Sequence, residues 1–372
     1  MKKKIISWLI VISMLVPLCF TVYAADISTY SLESEVSDHI EQMVSQFYSN
    51  HLGQYEIGNA VTIYNADTTC VYYILPIFCN QECIGTVELD TTGNVSLTNE
   101  VALYTEITEL MSPRYLLYTS GGVVYAELPG EVVELYDSGF DIPLNSNFTL
   151  LPYEDKVEEA KIYSETATAL LDIAAVVAQT ELGNTVVPEV SPLAEVPAFE
   201  AEQCSITNFV RQGYYNICWA ACVATIANYK KGLSLTAETV ALSMGHNYTA
   251  EHYSGASATE TARALAPYNL SYNTTSAKLS WGNVKNNIIN DCPFIVGLTT
   301  QYYDSDLGRT VTRGHMLTGY GYDCKYGDAE ANANMRYVHV WDPNGTQRYL
   351  QYHASSYSIN GYAWTWAETI VD

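Results

Sequence analysis

Apolar and polar positions change their spacing several times along the chain. Residues 71–78 and 84–89 are rich in β-branched and aromatic side chains and surround the polar stretch 80–82, which predicts a β-hairpin. Helical spacing follows at residues 99–111. The pattern from about residue 58 to 136 therefore predicts a small α+β domain with an antiparallel sheet.

Two cysteines, Cys79 and Cys83, flank the predicted hairpin turn. If the loop has three residues, the two side chains face each other across the hairpin. A disulfide needs a short separation between the two Cβ atoms. This arrangement would meet that condition, so a disulfide here is predicted as one alternative to separate thiols.

A different pattern covers residues 151–203. Four acidic residues follow Pro152, as suits the positive end of a helix, and the apolar, alanine-rich run 157–182 stops at Gly183. Three prolines then recur among Val, Ala and Glu. Residues 185–203 are accordingly predicted to be an extended interdomain linker without regular structure.

The C-terminal residues 204–372 have the size of one domain and pass from helical to strand-like spacing. Helices are predicted at 216–229, 236–244, 257–266 and 280–289, the last three beginning near a Ser or Thr that can cap them. Strands are predicted at 294–298, 316–322, 336–341 and 347–352. The expected fold class is α+β, with helices first and an antiparallel sheet second.

Charge separates the regions further. The 372 residues carry a net charge of -24. Residues 1–24 contribute +3, residues 25–203 contribute -26, and residues 204–372 are near neutral at -1. The length suggests two or three domains. The acidic excess argues against nucleic acid and anionic membranes as partners.

The first 24 residues have the features of an export signal. Three lysines precede the apolar run 5–22, and Val22-Tyr23-Ala24 fits a small-x-small cleavage site. The alternative is an uncleaved N-terminal anchor. No later segment is apolar enough to span a membrane, so the mature chain is expected to be secreted or attached to the cell surface, in an oxidising compartment.

Cys218 has the local environment that a cysteine nucleophile needs. A thiolate is stabilised by the positive potential of a helix start or by a neighbouring imidazolium, and Cys218 falls in the first turn of the helix predicted at 216–229. Cys222 lies one turn deeper on the same face. An isolated cysteine of a secreted protein usually forms a disulfide or packs in the core. The residues around Cys218 therefore determine whether a catalytic role is the better interpretation.

The residues around Cys218 resemble a segment of a known family. The run from Gln212 to Ala221 resembles the active-site segment of papain-like cysteine peptidases, with a glutamine six positions before the nucleophile and Trp219 directly after it. Arg313-Gly314-His315 and the residues to Tyr322 look like the histidine strand of that superfamily. Residues 338–345 look like the strand and turn that supply the residue orienting the histidine.

The resemblance covers roughly residues 204–372 and is nearest to bacterial branches, namely bacteriocin-leader peptidases and secreted or effector peptidases with a Cys-Trp-Ala-Ala segment. The run 288–297 is similar to their helix-to-strand junction. Asp342 departs from the asparagine that papain itself has at this position. The resemblance implies a papain-like catalytic domain with a peptide or protein as its substrate.

The residues of the matching motifs carry the implied roles. Cys218 is the expected nucleophile, His315 the base and acid, Asp342 the residue that orients the imidazole, and Gln212 a donor to the oxyanion. Trp219 and Gly314 are candidate substrate-binding residues. No cofactor and no metal are expected.

Strand geometry is an independent argument that His315 lies beside Asp342. In an antiparallel hairpin the numbers of paired residues have a constant sum, so if Tyr322 pairs with Met335, His315 lies opposite Asp342. Asn344, two positions further on, is the alternative orienting residue.

Other histidines offer weaker alternatives. His339 lies on the opposite face of its strand from Asp342 and is predicted to be a packed residue. His246, His252 and His353 together form a possible metal site, although their spacing matches no zinc pattern.

The sequence thus predicts a secreted cysteine endopeptidase made as a zymogen. Residues 25–150 would be an acidic prodomain and 151–203 a helix and linker, with 186–199 crossing the cleft of the peptidase at 204–372 as an intramolecular inhibitor. Two alternatives stay open. One is a cell-wall amidase or transglutaminase-like acyl transferase that uses the same thiolate. The other is a non-enzymatic surface protein, in which Cys218 and His315 would lie far apart.

Overall fold

A computed structural model describes residues 29–30, 40, 44, 55–65, 70–99, 101–110, 115–120, 123–137, 151–160, 199–213, 215–246, 255–304, 308–325 and 336–372. The strands are β1 (Thr29–Tyr30), β2 (Tyr55–Ile57), β3 (Ala60–Asn65), β4 (Cys70–Cys79), β5 (Glu82–Asp90), β6 (Val95–Thr98), β7 (Leu116–Ser120), β8 (Val123–Leu128), β9 (Glu131–Asp137), β10 (Phe199–Gln203), β11 (Asn273–Thr275), β12 (Phe294–Asp304), β13 (Arg309–Lys325), β14 (Arg336–Asp342), β15 (Thr346–Gln351), β16 (Tyr357–Ile359) and β17 (Tyr362–Val371). The helices are α1 (Ala102–Glu109), α2 (Cys218–Lys231), α3 (Ala237–Ser243), α4 (Ala258–Leu265) and α5 (Trp281–Ile289), with a 3₁₀ turn at Ala266–Tyr268. Residues 153–160 are also helical.

The N-terminal region forms the predicted α+β arrangement around strand β4, which pairs antiparallel with β2, β3 and β5. One pairing differs from the prediction, because β3 and β7 run parallel, with Tyr64 opposite Tyr118. Parallel neighbours need a long connection between them. Here the chain reaches β7 by way of α1, which brings it back beside β3 in the same direction.

The β4–β5 hairpin shows why the disulfide prediction was wrong. Its turn has two residues, Asn80 and Gln81, with φ of 51° and 70°, as a tight hairpin turn requires. Cys79 therefore pairs with Glu82, and Phe78 pairs with Cys83. Because successive side chains of a strand point to opposite faces, the two cysteines do not face each other, and no disulfide joins them.

The C-terminal region has the predicted order of helices followed by sheet. Strand β13 is the longest and pairs with β12 along its first part and with β14 along its second, while β17 adds to the other side of β12. Ile295 and Met316 face a core shared with α2, α3 and α4. The alternate residues Val296 and Leu317 face a second core that contains one side of α5, so helices cover both faces of this sheet.

Two glycines of β13 lie where neighbouring side chains come close to the backbone. A Cβ atom on Gly319 would lie 2.5 Å from the Phe294 ring, and one on Gly321 would lie 2.9 Å from His339. The strand bulges between these glycines, and Tyr322 pairs with Val338. The predicted pairing of Tyr322 with Met335 was therefore wrong. Tyr322 pairs three residues further along the chain than predicted, and the bulge changes the register by only one residue.

The predicted linker was also wrong in its last residues. Phe199–Gln203 forms β10, which pairs with the second half of β13 from Lys325 to Gly321. The Glu200 carboxylate accepts a hydrogen bond from Tyr322 Oη at 3.0 Å and forms an ion pair with Lys285 at 2.9 Å. No proline interrupts residues 199–203, so their backbone groups can complete the ladder.

The two regions meet in one continuous sheet. Strand β6 pairs with β15, with Thr98 opposite Arg348 and Leu97 opposite Tyr349. Side chains add to this junction, since Ser96 Oγ donates to the carbonyl of Ser358 at 2.6 Å. The N-terminal sheet is thus joined to the edge strand of the C-terminal sheet.

Candidate active site

Helix α2 begins at Cys218, and Ile217 before it provides no side-chain cap. The first four backbone N–H groups of a helix have no partner within the helix, and together they create a positive potential. Cys218 is half-buried. Its sulfur therefore lies at the positive end of a helix and stays within reach of the surface.

Cys222, one turn further along α2, fixes this helix against the sheet. Its side chain is fully buried, and its Sγ lies 3.4 Å from the carbonyl oxygen of Met316. Burial raises the pKa of the Cys222 thiol well above its ordinary value. Cys222 is thus a core residue, and its contact beside His315 directs the first turn of α2 toward the histidine.

His315 lies between a cysteine and an aspartate. Its Nε2 is 2.9 Å from Asp342 Oδ1, and its side chain also hydrogen-bonds with Cys218. Because Nε2 is engaged with Asp342, Nδ1 is the ring nitrogen that faces the sulfur. Burial alone would lower the pKa of His315, but the charge and hydrogen bond of Asp342, with the contact to Cys218, raise it to about 9.

Asp342 is fully buried and accepts three hydrogen bonds. His315 and the backbone N–H of Asn344 meet Oδ1 at 2.9 Å and 3.0 Å, and Arg348 Nε donates to Oδ2 at 2.9 Å. Burial would raise the pKa of Asp342, but His315, Arg348 and the Asn344 N–H lower it to about 2. The carboxylate is therefore ionised over the whole physiological range.

The structure separates the two candidates for the orienting residue. Within the described part of the chain, the buried amide nitrogen and oxygen of Asn344 have no hydrogen-bond partner. Asn344 contacts the site through its backbone, which donates to Asp342. Asp342, and not the Asn344 side chain, thus lies beside the imidazole, although their strand register differs from the predicted one.

A cleft of about 320 Å³ opens beside the cysteine and the histidine. Gln212 lines it, is 2% exposed, and is held by a hydrogen bond of 2.9 Å from its backbone N–H to the Pro343 carbonyl, next to Asp342. Trp219 and Gly314 also line the cleft. All six residues singled out by the sequence therefore meet at this one site.

The remaining histidines lie elsewhere or have other partners. His339 Nε2 is 2.6 Å from Asp323, and its ring packs between Tyr320 and Tyr349, as expected of a packed residue. His246 packs against the Trp219 ring. His252 lies outside the described residues, and among those that are described no group of three or more His, Cys, Asp or Glu could hold a metal ion.

Sequence reasoning missed Arg348. It follows Asp342 on the next strand, where Asp342 pairs with Thr346 and Val340 with Arg348. Residues 342 and 348 are diagonal neighbours on one face, a separation that a long side chain can bridge. A charged residue three positions beyond the Pro-Asn-Gly turn was the available signal.

A cysteine at a helix start, bonded to a histidine whose other nitrogen meets a buried carboxylate, is the arrangement of papain-like thiol hydrolases. Residues 195–369 match the model of the Peptidase_C39-like family. The C-terminal region of this chain is thus similar to the C39-like peptidase family, which supports a cysteine peptidase.

One solved structure that the chain resembles is a protein from Bacillus anthracis described as a C39-like peptidase. It has 13% sequence identity and a TM-score of 0.32, and the similarity covers 46% of this chain and 98% of that one. No curated protein matches the sequence.

Proposed function

We propose that the protein is a secreted cysteine endopeptidase that uses Cys218, His315 and Asp342 as its catalytic triad. The observation that carries the proposal is the unbroken series of hydrogen bonds from Cys218 through His315 to Asp342 at the wall of an open cleft. The same contact argues against the non-enzymatic alternative, which required Cys218 and His315 to lie far apart.

The proposed reaction follows the ionic states of these groups. The Cys218 thiolate attacks the peptide carbonyl, and the His315 imidazolium gives its proton to the departing amine, which leaves a thioester on the sulfur. A water molecule then attacks the thioester. His315 takes the proton of that water, and the acid is released as the thiolate returns.

Negative charge develops on the carbonyl oxygen in both steps, and hydrogen-bond donors are needed to stabilise it. Gln212 and the backbone N–H of Cys218 are the proposed donors, because both lie at the cleft wall near the helix start. Gln212 is held by its backbone bond to Pro343. Trp219 and Gly314 are the proposed contacts to the substrate chain.

The protonation of His315 sets the expected pH dependence. Its pKa is raised to about 9, so the imidazolium persists below that pH and is lost as the pH rises through it. We expect kcat/KM on a denatured protein to fall tenfold per pH unit above about pH 9.

The rate at which new amino termini appear in a denatured protein, measured across pH 5–11, checks this prediction. Peptidoglycan serves as a second substrate. Release of amines from peptidoglycan but not from protein would contradict the peptidase proposal in favour of the amidase alternative. An alkaline limb below pH 7 would contradict the assigned role of His315.

Export rests on the sequence of residues 1–24, which lie outside the described residues. In the part of the chain that the structure describes, no helix is long and apolar enough to cross a membrane. The lysines, the apolar run and the small residues before position 25 support secretion.

The zymogen proposal places inhibition in the segment before β10. The cleft-lining residues in the described ranges all lie between Gln212 and Glu368. Phe199 pairs with Lys325, ten residues after His315 along β13, or about 30 Å at strand spacing. The predicted crossing stretch thus ends away from the cleft, and inhibition would have to come from residues 186–198, outside the described part.

A cut within residues 186–198 is expected to raise the activity of the full-length protein by about tenfold or more. The two fragments should stay together, because β6 pairs with β15 and buried side chains cross the junction. A protease site engineered there, assayed before and after cleavage and followed by size-exclusion chromatography, tests both statements. Equal activity before and after the cut would end the zymogen proposal.

A further inference from the structure

Buried charges connect the N-terminal sheet to the proposed triad. Arg348, which donates to Asp342, is 5% exposed, and its backbone pairs with Thr98 of β6. Glu88 of β5 is also 5% exposed. Its charge favours the ionised form of Arg348, and the charge of Arg348 in turn lowers the pKa of Glu88 against the larger effect of burial, which raises it.

Glu88 is held by the C-terminal region although it belongs to the N-terminal sheet. Its Oε1 accepts hydrogen bonds from Ser358 Oγ at 3.0 Å and from the backbone N–H of Gly361 at 2.8 Å. Both donors are themselves buried. A carboxylate is thus fixed in the junction by two bonds that leave its other oxygen available.

A small cavity lies where these charges meet. Glu88, Arg348 and Asn360 line it, and its volume is about 30 Å³, enough for a water molecule. Among the described residues the buried Asn360 Nδ2 has no hydrogen-bond partner. The carboxylate and the guanidinium thus line the same small cavity.

Other titratable groups face this pair. Asp90 lies near Glu88, Tyr136 lies near Arg348, and the buried Tyr72 interacts with both. On the side of the triad, Arg348 acts on Asp342, and Asp342 acts on His315. The charges alternate in sign from Glu88 to His315, so each group reduces the effect of its neighbour on the next.

We propose that Glu88 and Arg348 are positioning residues of the peptidase, through which the N-terminal sheet holds Asp342 and sets the charge that His315 experiences. This inference rests on the proposed triad. Arg348 fixes the second oxygen of Asp342, and Glu88 offsets part of the positive charge of Arg348. The N-terminal sheet is then a working part of the active enzyme, in addition to any role in the zymogen.

Opposite pH shifts are the signature of this arrangement. Without the charge of Glu88, Arg348 weakens the hold of Asp342 on the imidazolium, so His315 loses its proton at lower pH. Without Arg348, the full charge of Asp342 acts on His315, and the proton is lost at higher pH. A shift of about 0.5 to 1 pH unit is expected for each, because both charges are buried.

The test uses full-length Glu88→Gln, Arg348→Gln, the double variant, and Glu131→Gln as a control on the exposed surface of the same sheet. We expect the alkaline limb of kcat/KM to move down in Glu88→Gln and up in Arg348→Gln, with the double variant near wild type. Arg348→Gln should also lose about tenfold in kcat with little change in KM. Glu131→Gln should match wild type throughout.

Unchanged limbs, or limbs that move in the same direction, would overturn the proposal, because a merely structural role gives no opposite shifts. If Arg348→Gln does not fold, Glu88→Gln decides alone, since glutamine keeps the oxygen that Ser358 and Gly361 bond. If the proposed triad itself is wrong, the result is different, because Cys218 of the wild-type protein then does not react with iodoacetamide.

Discussion

Replacing Cys218 with alanine should reduce the hydrolysis of protein substrates by a factor on the order of 10⁴ or more. Without the sulfur no thioester can form, and only substrate binding and oxyanion stabilisation remain. Cys218 is half-buried at the first residue of α2, and alanine favours a helix, so the fold should be retained. The release of new amino termini from a denatured protein measures the loss.

Alkylation gives the same variant a second readout. Iodoacetamide should label Cys218 selectively at neutral pH in the wild type, because Cys218 is half-buried at a helix start and hydrogen-bonds with His315, as is typical of a reactive cysteine. Burial raises the pKa of Cys204 to about 12, so that thiol should react slowly. Cys292→Ala, away from the cleft lining, is the matched control with full activity. A fully active Cys218→Ala protein would rule out the assignment.

The second large effect is expected for Asp342→Asn, a loss of roughly 10²- to 10⁴-fold in kcat/KM. The amide removes the charge that holds the imidazolium, so the alkaline limb should also move to lower pH. Arg348, buried beside it, loses its anionic partner, which costs about 3–5 kcal/mol of stability. Rates across pH and the free energy of unfolding measure the two effects separately.

Low pH should reduce the stability of the wild-type protein by protonating Asp342. The pKa of Asp342 is lowered to about 2 in the folded protein, from an ordinary value of 3.8. A depressed pKa adds stability above the unfolded value and loses it as the pH falls through the folded one. The stability lost by Asp342→Asn should therefore shrink between about pH 4 and pH 2.

Asn344→Ala is the control for this position. It retains the backbone N–H that donates to Asp342 and removes only an amide without a partner in the described part of the chain. Activity within about threefold of wild type is expected. The reverse pattern, with Asn344→Ala inactive and Asp342→Asn active, would make Asn344 the orienting residue.

Local signals predicted the helices of the C-terminal domain well. Thr236, Ser257 and Ser280 each accept a hydrogen bond from the third residue of their helix, which is the cap that their sequence pattern indicates. Gln212 was predicted from a resemblance, whereas Cys218 was also indicated by its place at a helix start, and the His315–Asp342 pair by an assumed strand register. The assumed strand register was wrong, and a diagonal contact still brings His315 and Asp342 together.

Features that depend on distant pairing were not predicted. Strands β16 and β17 were missed, because aromatic and polar residues mix there without a clear run. Glu88 and Arg348 are 260 positions apart and become neighbours only when β6 meets β15. Gly319 and Gly321 flank a bulge and lie in close contact with Phe294 and His339, which spacing along the chain does not show.

The pairing of β6 with β15 has a consequence for solubility. An uncovered edge strand presents unpaired backbone groups that can recruit another chain and start aggregation. In this protein β6 covers the edge of β15 at Arg348 and Tyr349. The covering region, residues 25–203, carries a net charge of -26, which repels other copies. Loss of the N-terminal sheet would expose that edge on a near-neutral domain, so the acidic region also acts as a shield against self-association.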